Sequence, residues 1–123
     1  MKTLDLKAIL AQINYRNEYK TQFDKFKEFV ESDNYEMAVA TLLSGFNWCG
    51  VHDLLPDSFI EKYTGIKIRW HNNGRLAFKS NFLKGKFNGK CELYFENGQR
   101  QQMATYKDGV LDGKYNEWYF LPA

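Results

Sequence analysis

A cysteine, a histidine and an aspartate lie close together near the middle of the chain, and their types are the first to suggest chemistry. Cys49, His52 and Asp53 fall within one short segment. A thiolate, an imidazole and a carboxylate can act as nucleophile, base and orienting group, or as three metal ligands. A catalytic triad is defined by geometry rather than by adjacency, and no second Cys/His pair completes a zinc site. We therefore assign these residues structural or incidental roles, and a Cys/His-dependent enzyme stays the third hypothesis for function.

Other polar residues have a structural explanation that is simpler than a catalytic one. Asp53 and Asp57 are spaced like paired carboxylates, but Asp57 and Ser58 lie where a helix is expected to begin, a position that favours acidic and hydroxyl side chains. His71 lies beside a turn with no similar residue nearby, which predicts a solvent-exposed imidazole. We predict no catalytic, metal-binding or cofactor-binding residues, and no cofactor.

The glycines of the second half do not form a phosphate-binding loop, because no Gly-Lys-Ser/Thr sequence follows them. We interpret them as turn residues. The four glycines concerned are Gly85, Gly89, Gly109 and Gly113.

Basic and aromatic residues alternate along the second half of the chain, a composition that suits phosphates and stacked bases. The candidate basic surface consists of Lys67, Arg69, Arg75, Lys79 and Lys86. The same alternation is typical of a half-buried antiparallel sheet with basic residues on the wet face and aromatic residues on the dry one. Since no recognised RNA-binding motif appears, binding of nucleic acid or anionic lipid through a basic sheet face is the second hypothesis.

The composition describes an ordinary packed domain. The chain has 123 residues, of which 44% are hydrophobic and 17% aromatic, enough to bury a core without cross-links. No apolar run is long enough to cross a bilayer, and charges interrupt the first residues, where a signal peptide needs an apolar stretch. With only Cys49 and Cys91 present, free thiols in a reducing compartment are expected. These features predict a soluble cytoplasmic protein.

Residues 1–64 show the periodicity of three to four short helices. Apolar residues over 4–13 predict a first helix, and those from Tyr15 to Val30 predict a second that ends near Ser32. A third helix is expected over 34–44.

Two capping boxes are predicted in the same half of the chain. Asp33 with Glu36 would cap the third helix, and Ser58 with Glu61 would cap a fourth over 59–63. The half as a whole carries a net charge of −3, against +5 for residues 65–123.

The second half repeats one pattern every 24 residues. Each unit reads as two alternating strands joined by an Asn-Gly turn, and a third unit begins near the end, so five antiparallel strands in sequence order are expected. The repeated positions, to which we assign structural roles, are Gly65, Trp70, Gly74, Gly85, Gly89, Tyr94, Gly98, Gly109, Gly113 and Trp118.

The segments from Trp70 to Leu76 and from Tyr94 to Arg100, each followed by an aromatic residue, a glycine and an Asn/Asp-Gly-Lys step, resemble MORN-type repeats. The similarity is to the bacterial variant found in antitoxin-like proteins, and it covers residues 65–120. It implies a repeated antiparallel sheet and a role in binding another protein. Residues 1–64 resemble no family that we recognise.

The expected fold is therefore α+β, with a helical cap over 1–64 on a β-meander over 65–123, forming one compact unit. Because a short repeat array exposes apolar surface at its ends, we expect the helices to bury the sheet. The predicted contacts join two sets of residues. On the sheet they are Trp70, Tyr94, Trp118, Phe82 and Tyr106, and on the helices they are Phe26, Val39 and Leu43.

The first hypothesis for function is a non-enzymatic protein-protein interaction module, in its most concrete form an inhibitor or an antitoxin-like or immunity-like neutraliser of a partner protein. It depends on the repeat, on the lack of a convincing catalytic set and on the opposite charges of the two halves. A dimer formed through the exposed last strand near 118–120 is a further expectation, and shielding of that strand by Leu121-Pro122 is the alternative.

Overall fold

The computed structural model describes residues 4–44, 48, 50 and 54–118. Helices come first and a five-stranded antiparallel sheet follows, which confirms the expected α+β class. The helical elements are α1 (Leu6–Gln12), a 3₁₀ turn (Asn17–Tyr19), α2 (Lys20–Glu31), α3 (Tyr35–Leu42) and α4 (Asp57–Glu61). The strands are β1 (Gly65–Trp70), β2 (Leu76–Leu83), β3 (Lys86–Tyr94), β4 (Arg100–Lys107) and β5 (Val110–Glu117), paired in sequence order.

Local chemistry explains where the first two helices begin. The Asp5 carboxylate accepts a hydrogen bond of 3.1 Å from the backbone N–H of Ala8, and α1 starts at the next residue, Leu6. Helix α2 begins at Lys20, so the expected start at Tyr15 was wrong. Arg16 is extended and a 3₁₀ turn follows it, while the Tyr15 ring stacks on Phe23 with centroids 4.4 Å apart. The end of α2 is as expected, with Ser32 at its C-cap.

Both predicted capping boxes were wrong. Asp33 has a φ of 58°, a left-handed conformation that reverses the chain between α2 and α3. The cap of α3 is instead Asn34, whose side chain accepts from the backbone N–H of Met37 at 3.3 Å. Helix α4 begins at Asp57 directly after Pro56, so Ser58 lies inside the helix rather than at its cap.

The helical half has its own apolar core. Phe26, Ala38 and Leu42 are fully buried where α2 and α3 pack together, and α1 covers them with Leu6 and Ile9. Trp48 is also part of this cluster, with its ring 6.2 Å from that of Phe26.

Two kinds of turn alternate along the sheet. The long turns carry the Asn-Gly pairs, and in each the backbone N–H of the glycine, Gly74 or Gly98, donates to a carbonyl three residues earlier. The short turns consist of Lys84-Gly85 and Asp108-Gly109, in which every residue has a positive φ. Turn roles for these four glycines are confirmed.

Gly89 and Gly113 are not turn residues, contrary to the prediction. Both lie inside strands, β3 and β5, because the short turns end at Gly85 and Gly109, four residues earlier than expected. The strand register shifts at both, so that residues 88–90 oppose Asn81 and residues 112–114 oppose Thr105. Each glycine sits in a β-bulge with positive φ, 108° at Gly89 and 92° at Gly113, a conformation that glycine adopts without strain.

The register divides the sheet into two faces, because residues directly opposite each other point to the same side. One side carries most of the large rings, and we call it the aromatic face. Phe82 stacks on Phe87 at 4.6 Å, and Phe87 on Tyr106 at 5.2 Å. The remaining residues of this face are Lys67, Arg69, Phe78, Ser80, Cys91, Leu93, Gln102, Ala104, Leu111, Tyr115 and Glu117.

The helices pack against β1 rather than over the whole sheet. Of the five sheet residues expected to be buried by helices, Trp70 does contact them, with its ring 6.2 Å from Phe29. Phe82 and Tyr106 stack on Phe87 within the aromatic face, the Tyr94 hydroxyl donates to Glu92 of its own strand, and Trp118 is 37% exposed. Trp70 thus meets the helices as expected, but the predicted burial was wrong for Phe82 and Tyr106, whose rings pack on Phe87, and for the exposed Trp118.

Candidate functional site

The residues that suggested chemistry, Cys49, His52 and Asp53, lie outside the described residues. Within the described ranges, no group of three or more His, Cys, Asp or Glu side chains could hold a metal ion. Cys91 is a free thiol buried in the aromatic face, and burial raises its pKa, which disfavours the reactive thiolate.

His71 is held in place rather than exposed, which corrects the prediction. Its ring is half-buried, and Nε2 lies 2.7 Å from the carbonyl oxygen of Tyr94. A carbonyl only accepts, so Nε2 carries the proton and donates it. Beside it, Asn73 Nδ2 donates to the carbonyl oxygen of Glu96 at 2.7 Å, so the two long turns are bonded to each other.

The candidate basic residues are distributed over several parts of the sheet. Lys67 and Arg69 lie on the aromatic face, where Lys67 Nζ is 4.2 Å from the centroid of Phe82 and burial lowers its pKa. Lys79 lies on the opposite face, directly across from Glu92. Arg75 belongs to the first long turn, and Lys86 packs beside Gly109. The structure thus brings together only Lys67 and Arg69.

The outer edge of β1 is closed by a side chain from α2. Gln22 Nε2 donates to the carbonyl oxygen of Ile68 at 3.2 Å, and Gln22 Oε1 accepts from the backbone N–H of Trp70 at 2.9 Å. Nε2 also donates to the carbonyl oxygen of Thr41 at 2.9 Å, and the side chain is 3% exposed. The Gln22 carboxamide therefore bonds to β1 as a neighbouring strand would, and it occupies the outward backbone groups of Ile68 and Trp70.

The outer edge of β5, unlike that of β1, is open to solvent. Every residue of the strand is exposed, and no strand among residues 54–118 pairs with its outer side. Large hydrophobic side chains are exposed along it, with Val110 68%, Leu111 45% and Tyr115 44% exposed, and Trp118 directly follows the strand. An exposed edge strand with apolar side chains is a template for pairing with another chain.

The pairing with β4 shows which backbone groups of β5 face outward. The N–H of Trp118 donates to the carbonyl oxygen of Gln101 at 2.9 Å, so Trp118 bonds inward. Hydrogen-bonding direction alternates along a strand. The N–H groups of Tyr115 and Glu117 consequently point to the outer edge, where a further strand would accept from them.

A polar cavity of about 180 Å³ lies between the helices and β1. Gln22, Arg69 and His71 are among its lining residues, all of which carry a polar side-chain atom. Such walls suit water better than an apolar group from a partner. We therefore place the candidate functional site at the edge of β5 and not in this cavity.

Sequence reasoning missed the role of Gln22. A glutamine within an amphipathic helix carries no signal that distinguishes it from a solvated residue, since its function depends on the distance between α2 and β1. The position of β5 had a usable signal in the sequence. Asp108-Gly109 favours a tight turn, so the apolar residues Val110 and Leu111 are expected to begin the last strand.

Comparisons of the chain with protein-family models, with curated proteins and with solved structures gave no match. None of the helices in the described part of the chain is long and apolar enough to cross a membrane. Function is therefore inferred from the geometry of the described residues.

Proposed function

We propose that this protein is a non-enzymatic protein-binding module whose partner docks on the open edge of β5. The observation that carries the proposal is the set of exposed hydrophobic side chains along that strand and directly after it, of which Val110 is the most exposed at 68%. Leu111 and Tyr115 lie on the aromatic face and Val110 on the other, so apolar side chains flank the unpaired edge on both faces, and exposed apolar surface commonly marks an interaction site. Strand addition would supply backbone hydrogen bonds to such a partner, and side-chain contacts would supply specificity.

The difference between the two edges supports this proposal. Proteins usually protect edge strands with charges, bulges or a covering element. Here Gln22 covers β1, whereas no element among the described residues covers β5, whose protection consists of a bulge at Gly113 and of the charged residues Asp112, Lys114 and Glu117. A fold that closes one edge and leaves apolar side chains on the other is suited to binding at the second edge.

We further propose that the bound partner is neutralised, as an antitoxin-like or immunity-like inhibitor neutralises its target. This version depends on the similarity to MORN-type repeats and on the broad exposed face of the sheet. A cytoplasmic location belongs to the same proposal, and the free thiol of Cys91 is in keeping with a reducing compartment.

Affinity purification from the native host tests the proposal. The bait is the full chain, compared with a Val110→Ser/Trp118→Ser variant and with Leu83→Ser as the matched control. Leu83 is 41% exposed but lies at the end of β2, which β3 and β4 separate from β5. We expect a stoichiometric protein that the double variant loses and the control retains. Equal recovery by all three baits would overturn the proposed site.

A second candidate function is binding of nucleic acid or anionic lipid to the aromatic face. The observation in its favour is that Lys67 and Arg69 share this face with Phe78, Phe82 and Tyr106. Binding of this kind should weaken steeply with rising salt, since released counterions supply much of the affinity. A Lys67→Gln/Arg69→Gln variant that binds single-stranded nucleic acid and anionic vesicles as the wild type does would exclude this candidate.

A further inference from the structure

The pairings inside the sheet indicate what kind of strand fits the edge of β5. We propose that the partner segment is an extended strand with a small residue and, two positions later, an aromatic residue, which lie opposite Tyr115 and Gly113 respectively. This inference rests on the proposed function and names the chemistry of the partner at the same edge.

The first observation is a cross-strand pair that occurs twice. Gly65 of β1 lies opposite Phe82 of β2, and Gly89 of β3 lies opposite Tyr106 of β4. A glycine has no side chain, so an aromatic ring on the neighbouring strand can cover it and stabilise that part of the sheet. Gly113 of β5 occupies the equivalent position and has the same bulged, positive-φ conformation as Gly89.

The second observation concerns the residue two positions after each glycine. Lys67 lies opposite Ser80, and Cys91 lies opposite Ala104. Ser80 is 1% exposed and Ala104 is 5% exposed, so both small side chains are enclosed by larger neighbours. Tyr115 is the equivalent residue of β5, and a small residue opposite it would leave room for its ring.

The row of rings on the aromatic face shows where the new aromatic residue would pack. Phe87 of β3 contacts Phe82 on one side and Tyr106 on the other. Leu111 is the equivalent residue of β5, and it already lies opposite Tyr106 on its inner side. An aromatic residue opposite Gly113 would cover the outer side of Leu111, which is 45% exposed. The row of side chains on the aromatic face would then extend from Leu111 onto the strand of the partner.

Charge argues against a second copy of the chain as the occupant. The segment Gly113-Lys114-Tyr115 itself has a small residue two positions before an aromatic one. Pairing it with its own copy in this register places Lys114 opposite Lys114, and like charges directly opposite each other destabilise a sheet. At the equivalent position inside the sheet, Lys90 lies opposite the neutral Thr105. We therefore assign the edge to a different protein with a neutral or acidic residue between the small and the aromatic ones.

A synthetic peptide with the sequence of residues 100–107 tests the inference, because it contains Ala104 and Tyr106 in the required order. The control peptide exchanges these two residues, Ala104→Tyr/Tyr106→Ala, and keeps composition and charge. Binding is measured by amide shifts of the ¹⁵N-labelled full chain. We expect shifts at Tyr115 and Glu117, and an affinity for the control peptide that is roughly fivefold lower.

Two variants of the chain show whether the peptide adds a strand. Tyr115→Pro removes one outward N–H while leaving the inward bonds of Trp118 and the β4 pairing, and Leu111→Ser removes the apolar contact of the new ring. Both should lose most of the binding. Leu111 is exposed, so its replacement keeps the inference testable if the proline variant fails to fold.

Three results would overturn the inference: equal affinity for the two peptides, shifts confined to residues outside β5, or a stable dimer of the wild-type chain in sedimentation. Failure of the proposed function would be distinct from these results. In that case the Val110→Ser/Trp118→Ser bait would keep its partner, whatever the peptides do.

Discussion

The carboxamide oxygen of Gln22 accepts a hydrogen bond of 2.9 Å from the backbone N–H of Trp70, while the amide nitrogen of the same side chain donates to the carbonyl oxygen of Ile68. One buried side chain thus satisfies two backbone groups on the edge of β1. The helical half and the sheet meet at this point, and the contact decides which end of the sheet remains available.

Replacement of Gln22 by alanine should lower the free energy of unfolding by about 1 to 3 kcal/mol, because it leaves buried backbone groups of Ile68 and Trp70 without partners. Chemical denaturation measures the change. The control is Gln12→Ala, since Gln12 is exposed and bonds only within its own helix, to the Ala8 carbonyl. We expect the control to change stability by less than about 0.5 kcal/mol. Equal effects would contradict the assigned role of Gln22.

Gly85 and Gly109 offer a matched pair for testing the second contact between the two halves. Their φ angles are 83° and 84°, so alanine has the same backbone strain at both. A Cβ at Gly85 would lie 1.7 Å from the carbonyl oxygen of Glu61, whereas one at Gly109 would lie 3.8 Å from the Lys86 side chain. We expect Gly109→Ala to cost about 1 kcal/mol and Gly85→Ala about 3 kcal/mol or more.

Thermal or chemical unfolding of the two glycine variants provides the comparison. Similar losses of stability would show that the end of α4 is not packed against the turn between β2 and β3.

Tyr63 should make stability depend on pH in the alkaline range. Burial, with smaller effects from Glu36 and Tyr35, raises the pKa of its hydroxyl from 10.0 to about 12, and that hydroxyl donates to the carbonyl oxygen of Ile66 at 2.8 Å. The unfolded chain therefore loses this proton first as pH rises. The stabilisation is fully present below pH 10.0 and is lost between 10.0 and about 12.

Denaturant melts at neutral pH and at about pH 11 measure this effect. Wild-type stability should fall more steeply over this interval than that of Tyr63→Phe, which has no proton to lose. Parallel curves would show that Tyr63 is not the responsible group.

Lys114 should limit self-association of the chain. Lys114→Thr introduces the residue found at the equivalent pairing of Lys90 with Thr105, and it removes the like charges that would meet between two copies. We expect the variant to dimerise in analytical ultracentrifugation at concentrations where the wild type is monomeric. The control is Lys107→Thr at the last residue of β4, opposite Val110, and it should leave the chain monomeric. A monomeric Lys114→Thr variant would contradict this role.

The class of fold was predictable because it depends on local patterns: the apolar periodicity of residues 4–43, the Asn-Gly turns at Gly74 and Gly98, and strand alternation between them. Details that depend on one residue were less predictable. Asp33 and Asn34 are both good helix caps, and only the left-handed backbone at Asp33 decides that Asn34 caps α3. Gly89 and Gly113 look like turn glycines, but the short turns before them leave both inside strands.

The candidate site was harder to predict, because it depends on contacts between distant residues. Lys67 and Lys79 belong to one alternating pattern, yet the pairing of β1 with β2 places them on opposite faces. The exposed edge of β5 follows from the position of the helices, which Gln22 anchors to β1 at the other end of the sheet. The spacing of residues along the sequence does not reveal tertiary packing of this kind.

Amide hydrogen exchange of the full chain in complex with its captured partner shows whether that partner adds a strand to the edge of β5. The N–H groups of Tyr115 and Glu117 point outward, so we expect their exchange to slow strongly in the complex. The amides of Cys91 and Leu93, at the equivalent positions of β3, already face β4 and should change little. Unchanged exchange at Tyr115 and Glu117, with protection confined to the helices or to the basic residues Lys67 and Arg69, would contradict the claim.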